Sequence, residues 1–397
     1  MSYAPWSWAR KLVAAGYQPA AVLQPRTTWI VATDISPADT ALADTALADT
    51  ATTDAVGAAD ASAADVLPLV AIFCPTVVTS ENASDQQEAL ERLADRVRDL
   101  QSARPDRRFV LWLGVQGEAL ERGECERRVR DASRACAGRG LVFAGFVQDR
   151  VGKVPSLNVA LKAAARLRAS ALIQVDDDVY LDAGCLEILL RAYDARSGEA
   201  AVGATKIPVR RSMRTSGALR WLRGQTGHAC AYPHGCCIAL NPHSARFPIP
   251  ERYNTDDGYI CFRWLRPAAA DPLCDLMVVP DATCRYFVGG APGESAWRIR
   301  RMLLDIHVLL ADFPRATSEY YFRHLLFPGL WPIGIPEPAP ARTSPLRWTL
   351  RFVYFLMFSA VGVELMVRGL FGRPLKRIHW AGLAQRDAPA PPAAVLP

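Results

Sequence analysis

The sequence predicts an α/β domain built on a mostly parallel central sheet. Between residues 68 and 175, apolar runs of five to nine residues alternate four times with segments of helical apolar spacing. The runs are continuous rather than alternately apolar and polar, as expected of strands buried on both faces. Half of the 397 residues are hydrophobic and 22% are charged, a composition that supports a packed core. Strands and helices in such alternation lay helices over both faces of a parallel sheet.

The elements follow in order. Residues 1–66 form an N-terminal segment. Its start, MSYAPWSWARKLVAAGYQPAAV, lacks the long apolar core and cleavage site of a signal peptide. TTWIVATDI is a short apolar stretch of no evident role, and residues 38–66 repeat ALADT before decaying into Ala, Asp and Thr. Low-complexity sequence without bulky apolar residues buries no face and reads as a linker. The main domain is expected over 67–315. PLVAIFCP (68–75) is its first strand, and SENASDQQEALERLADRVRDLQ its first helix, capped by Asn82 or Ser84. RRFVLWLGV (107–115) and CERRVRDASRACAG form the next pair, then LVFAGFV (141–147) and PSLNVALKAAARLRA, and ALIQV (171–175) is the fourth strand.

Residues 316–397 form a C-terminal region ending in a Pro- and Ala-rich tail. Within it, residues 352–367 are apolar except for Glu364, Ser359 and Gly362. A spanning helix needs about 20 apolar residues, so this segment either spans a membrane or lies along its surface. Trp348, Arg351, Arg368 and Trp380 flank it as interfacial residues would. Membrane association is therefore expected, at the cytoplasmic face of a bacterial inner membrane, with an amphipathic core helix as the competing reading.

Composition narrows the partners. The net charge is +6, and the 46 basic residues divide into five Lys and 41 Arg. The arginines are spread along the chain rather than gathered in one tract, so no nucleic-acid partner is expected. Ten cysteines at irregular positions, with no C-x-x-C pair, read as reduced and mostly buried thiols. Cys230, Cys236 and Cys237 with His228 or His234 match no zinc-ligand spacing.

The chemistry concentrates at VDDDV. Asp176, Asp177 and Asp178 follow the fourth strand directly, at the carboxyl end where open α/β sheets bind ligands. One Asp suffices for a cap or a turn. Three adjacent carboxylates repel one another unless a cation offsets them, and hard cations such as Mg2+ or Mn2+ take oxygen ligands and share them with phosphates. Strand alternation would put Asp176 and Asp178 on one face and Asp177 on the other.

Together with two further segments, this region resembles the family-two glycosyltransferases, which have the GT-A fold. The motifs are GKVPSLNVALKAAARLRASALIQVDDD, HGCCIALNPHSARF and YNTDDGYICFRWL, in the family's order. The resemblance covers roughly residues 68–305 and implies a nucleotide-sugar donor and a hydroxyl acceptor, a glycan or a lipid-linked group. It implies Asp176 and Asp178 as ligands of Mg2+ or Mn2+ on the donor diphosphate, and Asp257 as general base. Pro75, Thr76, Lys153, Asn158 and Asp177 would line the donor. Beyond the resemblance, Asp256, His234, Arg298, Arg300 and Arg301 are candidates for the diphosphate or acceptor, although Arg298 and Arg301 share a helix face that Arg300 does not. A metal offsets charge on the departing diphosphate, a carboxylate opposite deprotonates the hydroxyl, and one base without a second nucleophilic carboxylate implies inversion. Thr255-Asp256-Asp257 also reads as a helix start, with Thr255 as cap.

The sequence departs from the family in three places. The strand ending LWLGVQGE has no aspartate where the family has an acidic motif, the loop after Pro75 keeps only Pro75 and Thr76, and AWRIRRML keeps only Arg300 of Gln-x-x-Arg-Trp. The last departure argues against a polymerising synthase. Gly289-Gly290 and Pro292-Gly293 suggest a loop closing over the donor, or a simple turn. Two other functions compete. A nucleotidyltransferase would carry a Gly- and Arg-rich phosphate loop after the first strand, which CPTVVTSEN is not. A non-catalytic membrane-tethered subunit would have lost the second-strand acid.

Overall fold

A computed structural model describes residues 27–31, 67–78, 83–117, 121–149, 152–196, 198–210, 231–288, 292–326 and 345–371. In chain order the strands are β1 (Thr27–Val31), β2 (Leu69–Val77), β3 (Arg108–Gly117), β4 (Val142–Asp149), β5 (Ala171–Val175), β6 (Val179–Leu181), β7 (Ala201–Arg210), β8 (Cys237–Leu240) and β9 (Leu276–Val288). The helices are α1 (Ala83–Ala103), α2 (Arg122–Ala137), α3 (Lys153–Arg166), α4 (Cys185–Asp194), α5 (Asp256–Trp264), α6 (Pro292–Asp312), α7 (Arg315–Tyr320), which runs into a π-helical turn Tyr321–Leu326, and α8 (Pro345–Leu370).

Alternate residues of β2 feed two separate cores. Val70, Ile72 and Cys74 join α1, α2 and α4 on one face, through residues such as Leu93, Val97, Val129 and Leu189. Leu69, Ala71 and Phe73 join α3, α5, α6 and α8 on the other, through Leu157, Ile260, Leu304 and Phe358. The period-two geometry of a strand makes one continuous apolar run serve both layers.

All nine strands form one sheet, in the order β1-β4-β3-β2-β5-β8-β7-β9-β6. The stretch β4-β3-β2-β5 is parallel throughout. β8 is antiparallel to both β5 and β7, and β9 is parallel to β7, so β7 and β9 run with the parallel group. Six of the nine strands therefore share a direction, among them the four that the apolar runs predict. Helices α1 and α2 cover one face while the chain steps outward from β2 to β4. Helix α3 then returns it across the other face to β5. The switch point thus falls between β2 and β5, and ligands of such sheets bind beyond the strand ends at that point.

TTWIVATDI acquires a role here. β1 pairs antiparallel with β4, and Trp29 lies 4.8 Å from Phe146 and 6.1 Å from Trp112, ring centroid to centroid. The low-complexity stretch 38–66 lies outside the described residues. So do Asn82, His228 and Cys230. α1 begins at Ala83, which leaves Ser84 inside the helix rather than capping it. Pro292 and Gly293 open α6 rather than forming a loop, Pro taking the first helical position, where no N–H is needed, while Gly289 and Gly290 lie outside the described residues.

The C-terminal helix belongs to the same core as the sheet. Phe358, Val361 and Leu365 of α8 are buried against α6, and the Phe358 ring stacks on His307 at 4.0 Å. Arg300 of α6 donates to Glu364 of α8 at 3.1 Å, and Arg368 donates to the same carboxylate at 2.9 Å. The opposite face leaves Phe352, Leu356, Val363 and Val367 exposed. Among the described residues no helix is long and apolar enough to cross a membrane. The expectation of a spanning helix is corrected accordingly: one face of α8 is already committed to α6 and carries the Glu364 ion pairs. Replacing Phe358 with Ala should lower stability by about 3–5 kcal/mol in urea unfolding, whereas Phe352→Ala on the outer face should change it little.

Candidate active site

The three aspartates lie in a turn, not on a strand. β5 ends at Val175, and the Val179 amide closes on the Asp176 carbonyl at 3.2 Å. Strand alternation therefore does not divide the acids, as the sequence reading expected; their partners do. Asp176 turns toward α3 and α5, and Asp177 toward β2 and α1.

Asp176 meets the ammonium of Lys153, its Oδ1 2.6 Å from Nζ. The same Nζ lies 3.0 Å from Asp256 Oδ2 and donates to the Gly235 carbonyl at 3.2 Å. Lys153 thus joins the VDDD turn to the start of α5, which are eighty residues apart in sequence. Burial alone would lower the Lys153 pKa; the carboxylates of Asp176 and Asp256 outweigh it and hold the ammonium charged. Burial raises the Asp176 carboxyl, opposed by Lys153 and reinforced by Asp256 and Asp178.

The surroundings explain why Lys153 reaches this point. It opens α3 after Gly152, whose φ of +99° suits glycine. The buried Gln116 side chain clamps Gly152 from both sides: its Nε2 donates to the Gly152 carbonyl and its Oε1 accepts from the Gly152 amide, each at 2.9 Å. The strand end that lacks an acid therefore carries a glutamine that positions Lys153. Gln174, next to the end of β5, donates to Asp256 at 2.7 Å and to the Gly235 carbonyl at 2.8 Å. Gly235 is required by space, since a Cβ there would stand 2.5 Å from Asp256 Oδ2 and 2.7 Å from Lys153 Nζ.

On the other side, Asp177 accepts from Thr76 at 2.5 Å and from Gln86 at 2.9 Å. Gln86 also donates to the Val77 carbonyl at 2.8 Å and accepts from Arg128. Pro75 stays in the β2–β3 ladder opposite Gly114. A cavity of about 370 Å3 opens beside this network, walled by Leu90, Leu93 and Leu113 and reaching Asp176 and Asp177.

At the start of α5, Asp257 Oδ2 lies 3.1 Å from His234 Nδ1. The His234 ring stacks on Tyr232 at 4.8 Å, and the Tyr232 and Tyr321 hydroxyls are 3.3 Å apart. Burial would raise the Asp257 carboxyl, but the His234 contact and the charges of Lys153 and Lys206 hold it well below the usual carboxylate range. Thr255 does not cap α5 with its side chain. Its hydroxyl and amide, with the Asn254 amide, all donate to Asp305 of α6, the two amides at 3.1 and 3.0 Å.

Other expected site residues are used elsewhere. Asn158 forms a two-way pair with the Ile249 backbone, at 2.7 and 2.9 Å, and so serves packing rather than a ligand. Arg300 pairs with Glu364 of α8. Arg301 is half-buried on α6, and the Arg298 side chain lies outside the described residues. Gln116, Gln174, Gln86 and Asp305 were not anticipated. A glutamine in ALIQV and an acid in MLLDIHVLL are legible polar breaks in apolar runs; Gln86 carries no such signal.

The donor set suits a hard cation: Asp176 and Asp178 offer carboxylate oxygens, and acids outnumber ammonium groups here. Among the described residues no three His, Cys, Asp or Glu side chains converge on one point. A cation would rest on two carboxylates and draw its remaining ligands from a diphosphate and water, as Mg2+ commonly does.

No protein-family profile matches the chain, and no curated protein matches it in sequence. Solved structures resemble it weakly. A mannosyltransferase from Pyrobaculum calidifontis, in complex with GDP-Man and Mn2+, is 19% identical over 78% of this chain and 90% of its own, with a TM-score of 0.43. Glucosyl-3-phosphoglycerate synthase from Mycobacterium tuberculosis, in complex with Mg2+ and uridine diphosphate, is 15% identical over 62% of this chain and 80% of its own, with a TM-score of 0.34. Scores and identities at this level establish neither family nor activity. The fold assignment stands on the strand order and the placement of the acids.

Gly235→Ala should displace Lys153 from Asp256 and lower stability by about 1–3 kcal/mol. Urea unfolding of the two proteins side by side measures it.

Proposed function

We propose that the protein is an inverting glycosyltransferase that moves a sugar from a nucleotide-sugar donor to a hydroxyl acceptor. The observation that carries the reading is Lys153, which brings the VDDD turn and the first turn of α5 to one point beside a cavity. The nucleoside occupies the cavity, its diphosphate at the Asp176 end, and the acceptor approaches from Asp257 and His234. Asp176 and Asp178 would hold a Mg2+ or Mn2+ ion, whose chemistry would be to offset charge on the departing diphosphate. Lys153 keeps Asp176 and Asp256 in register across the site. Asp257 is the carboxylate on which removal of the acceptor proton depends, and attack from its side of the sugar, opposite the leaving group, inverts the anomeric centre.

The exposed face of α8 supports a membrane-bound acceptor. Phe352, Leu356, Val363 and Val367 recur at helical spacing, and Arg368 borders them. The helix lies along the surface of a membrane, at its cytoplasmic face, and presents the active site to a lipid-linked hydroxyl.

Two experiments test these readings. Purified protein with Mn2+ should release nucleoside diphosphate from at least one of a nucleotide-sugar panel that includes GDP-mannose and UDP-glucose. Asp257→Asn should slow release by 100-fold or more with donor binding retained; no release from any donor would reject the proposal. The protein should co-sediment with vesicles containing phosphatidylglycerol, and Leu356→Glu with Val363→Glu should abolish this while leaving donor turnover unchanged.

A further inference from the structure

β7 brings to the site a cation that the fold leaves without an acid. Gly203 of β7 pairs with Ile238 of β8, and Ile238 pairs with Gln174 of β5. Gly203 therefore stands level with Gln174. Lys206, three residues further along a strand that runs with β5, stands level with the VDDD turn. Two strand spacings separate it from β5, about 10 Å. On its other side Lys206 pairs with Cys284 of β9, and Cys284 pairs with Leu181 of β6. β6 begins at Val179, directly after Asp178, so the segment carrying the three acids crosses from one side of Lys206 to the other.

The ammonium of Lys206 lies 5.6 Å from the ring centroid of Tyr286, the strand partner of Val179. Among the described residues it forms no ion pair, unlike Lys153, which is held between Asp176 and Asp256. Its side chain is part exposed, and its charge reaches Asp257 of α5 and the thiols of Cys236 and Cys284. A lysine at a strand end is ordinarily a solvated surface charge. This chain, however, takes Arg for 41 of its 46 basic residues, and two of its five lysines, Lys153 and Lys206, flank this turn. A diphosphate with one divalent cation stays anionic, and a compact ammonium meets a single phosphate oxygen as a point charge.

We propose that Lys206 is a phosphate-binding residue of the site, its ammonium donating to a phosphate oxygen of a bound substrate. The inference rests on the glycosyltransferase reading above and adds a contact which that reading does not assign. Two substrates can bring the phosphate: the donor through its diphosphate, or an acceptor that carries a phosphate of its own.

Calorimetric titration of the full chain with Mn2+ present tests it, first with GDP and UDP, then with inorganic phosphate added to the nucleoside diphosphate complex. If the donor brings the phosphate, Lys206→Met should bind the nucleoside diphosphate at least about tenfold more weakly than wild type, through loss of one charge-assisted hydrogen bond. If the acceptor brings it, Lys206→Met should bind the nucleoside diphosphate as wild type does. Its complex should then bind inorganic phosphate at least about tenfold more weakly. Either result supports the inference when Lys206→Arg, which keeps the charge, stays within about threefold of wild type. Both affinities of Lys206→Met within about threefold of wild type would overturn it, and so would a loss that Lys206→Arg shares. Release of nucleoside diphosphate from a nucleotide-sugar by the wild-type protein would leave the glycosyltransferase reading standing in either case. Wild-type protein that binds neither nucleoside diphosphate nor phosphate, and releases nothing from the donor panel, would reject both. Should Lys206→Met fail to fold, Lys206→Gln takes its place with the same outcomes.

Discussion

One ammonium group holds the site together. Lys153 Nζ stands 2.6 Å from Asp176 and 3.0 Å from Asp256, joining a turn after β5 to the beginning of a helix eighty residues later. Without it the carboxylates would face one another across a part-buried space, and removing one partner of such a pair typically destabilises by about 3–5 kcal/mol. The neighbouring constraints are consequences of seating that ammonium. Gly152 gives the backbone its entry angle and Gln116 fixes Gly152. Gln174 shares the second carboxylate, and residue 235 can carry no side chain.

From that centre the proposed function assigns one layer to the donor and the other to the acceptor. The cavity, Asp177, Thr76 and Gln86 belong to the layer containing α1 and α2, at the switch point between β2 and β5. Asp257 and His234 belong to the layer containing α5 and α6. The acceptor side is braced from behind. Asp305 of α6 gathers the amides of Asn254 and Thr255, and α6 is itself packed against α8. A continuous run of buried contacts therefore links the apolar outer helix to the turn that carries the proposed acceptor-side acid.

The parallel part of the sheet was legible because β2 to β5 are buried on both faces and so read as unbroken apolar runs. β1 was not, since its role depends on Trp29 finding Trp112 and Phe146 across a long intervening segment. The motifs of the resemblance include Lys153, Asp176 and Asp256, and the fold brings Asp176 and Asp256 to the Lys153 ammonium. Arg300 was not readable in this way, because Glu364 on α8, 64 residues further on, supplies its partner. Asn158 misled similarly: a peptide group at Ile249 satisfies its amide. Gln116 and Gln86 act through contacts between distant elements, and spacing along the chain carries no information about them.

The central claim is that the two acidic segments were brought together to handle a nucleoside diphosphate and a divalent cation. Crystals soaked with Mn2+ and a nucleoside diphosphate test it directly through anomalous scattering from manganese. The account predicts one strong peak within coordination distance of Asp176 and Asp178, bridged to the diphosphate, with the nucleoside in the cavity beside Thr76. A manganese peak elsewhere, or a nucleotide bound away from the VDDD turn, would contradict it.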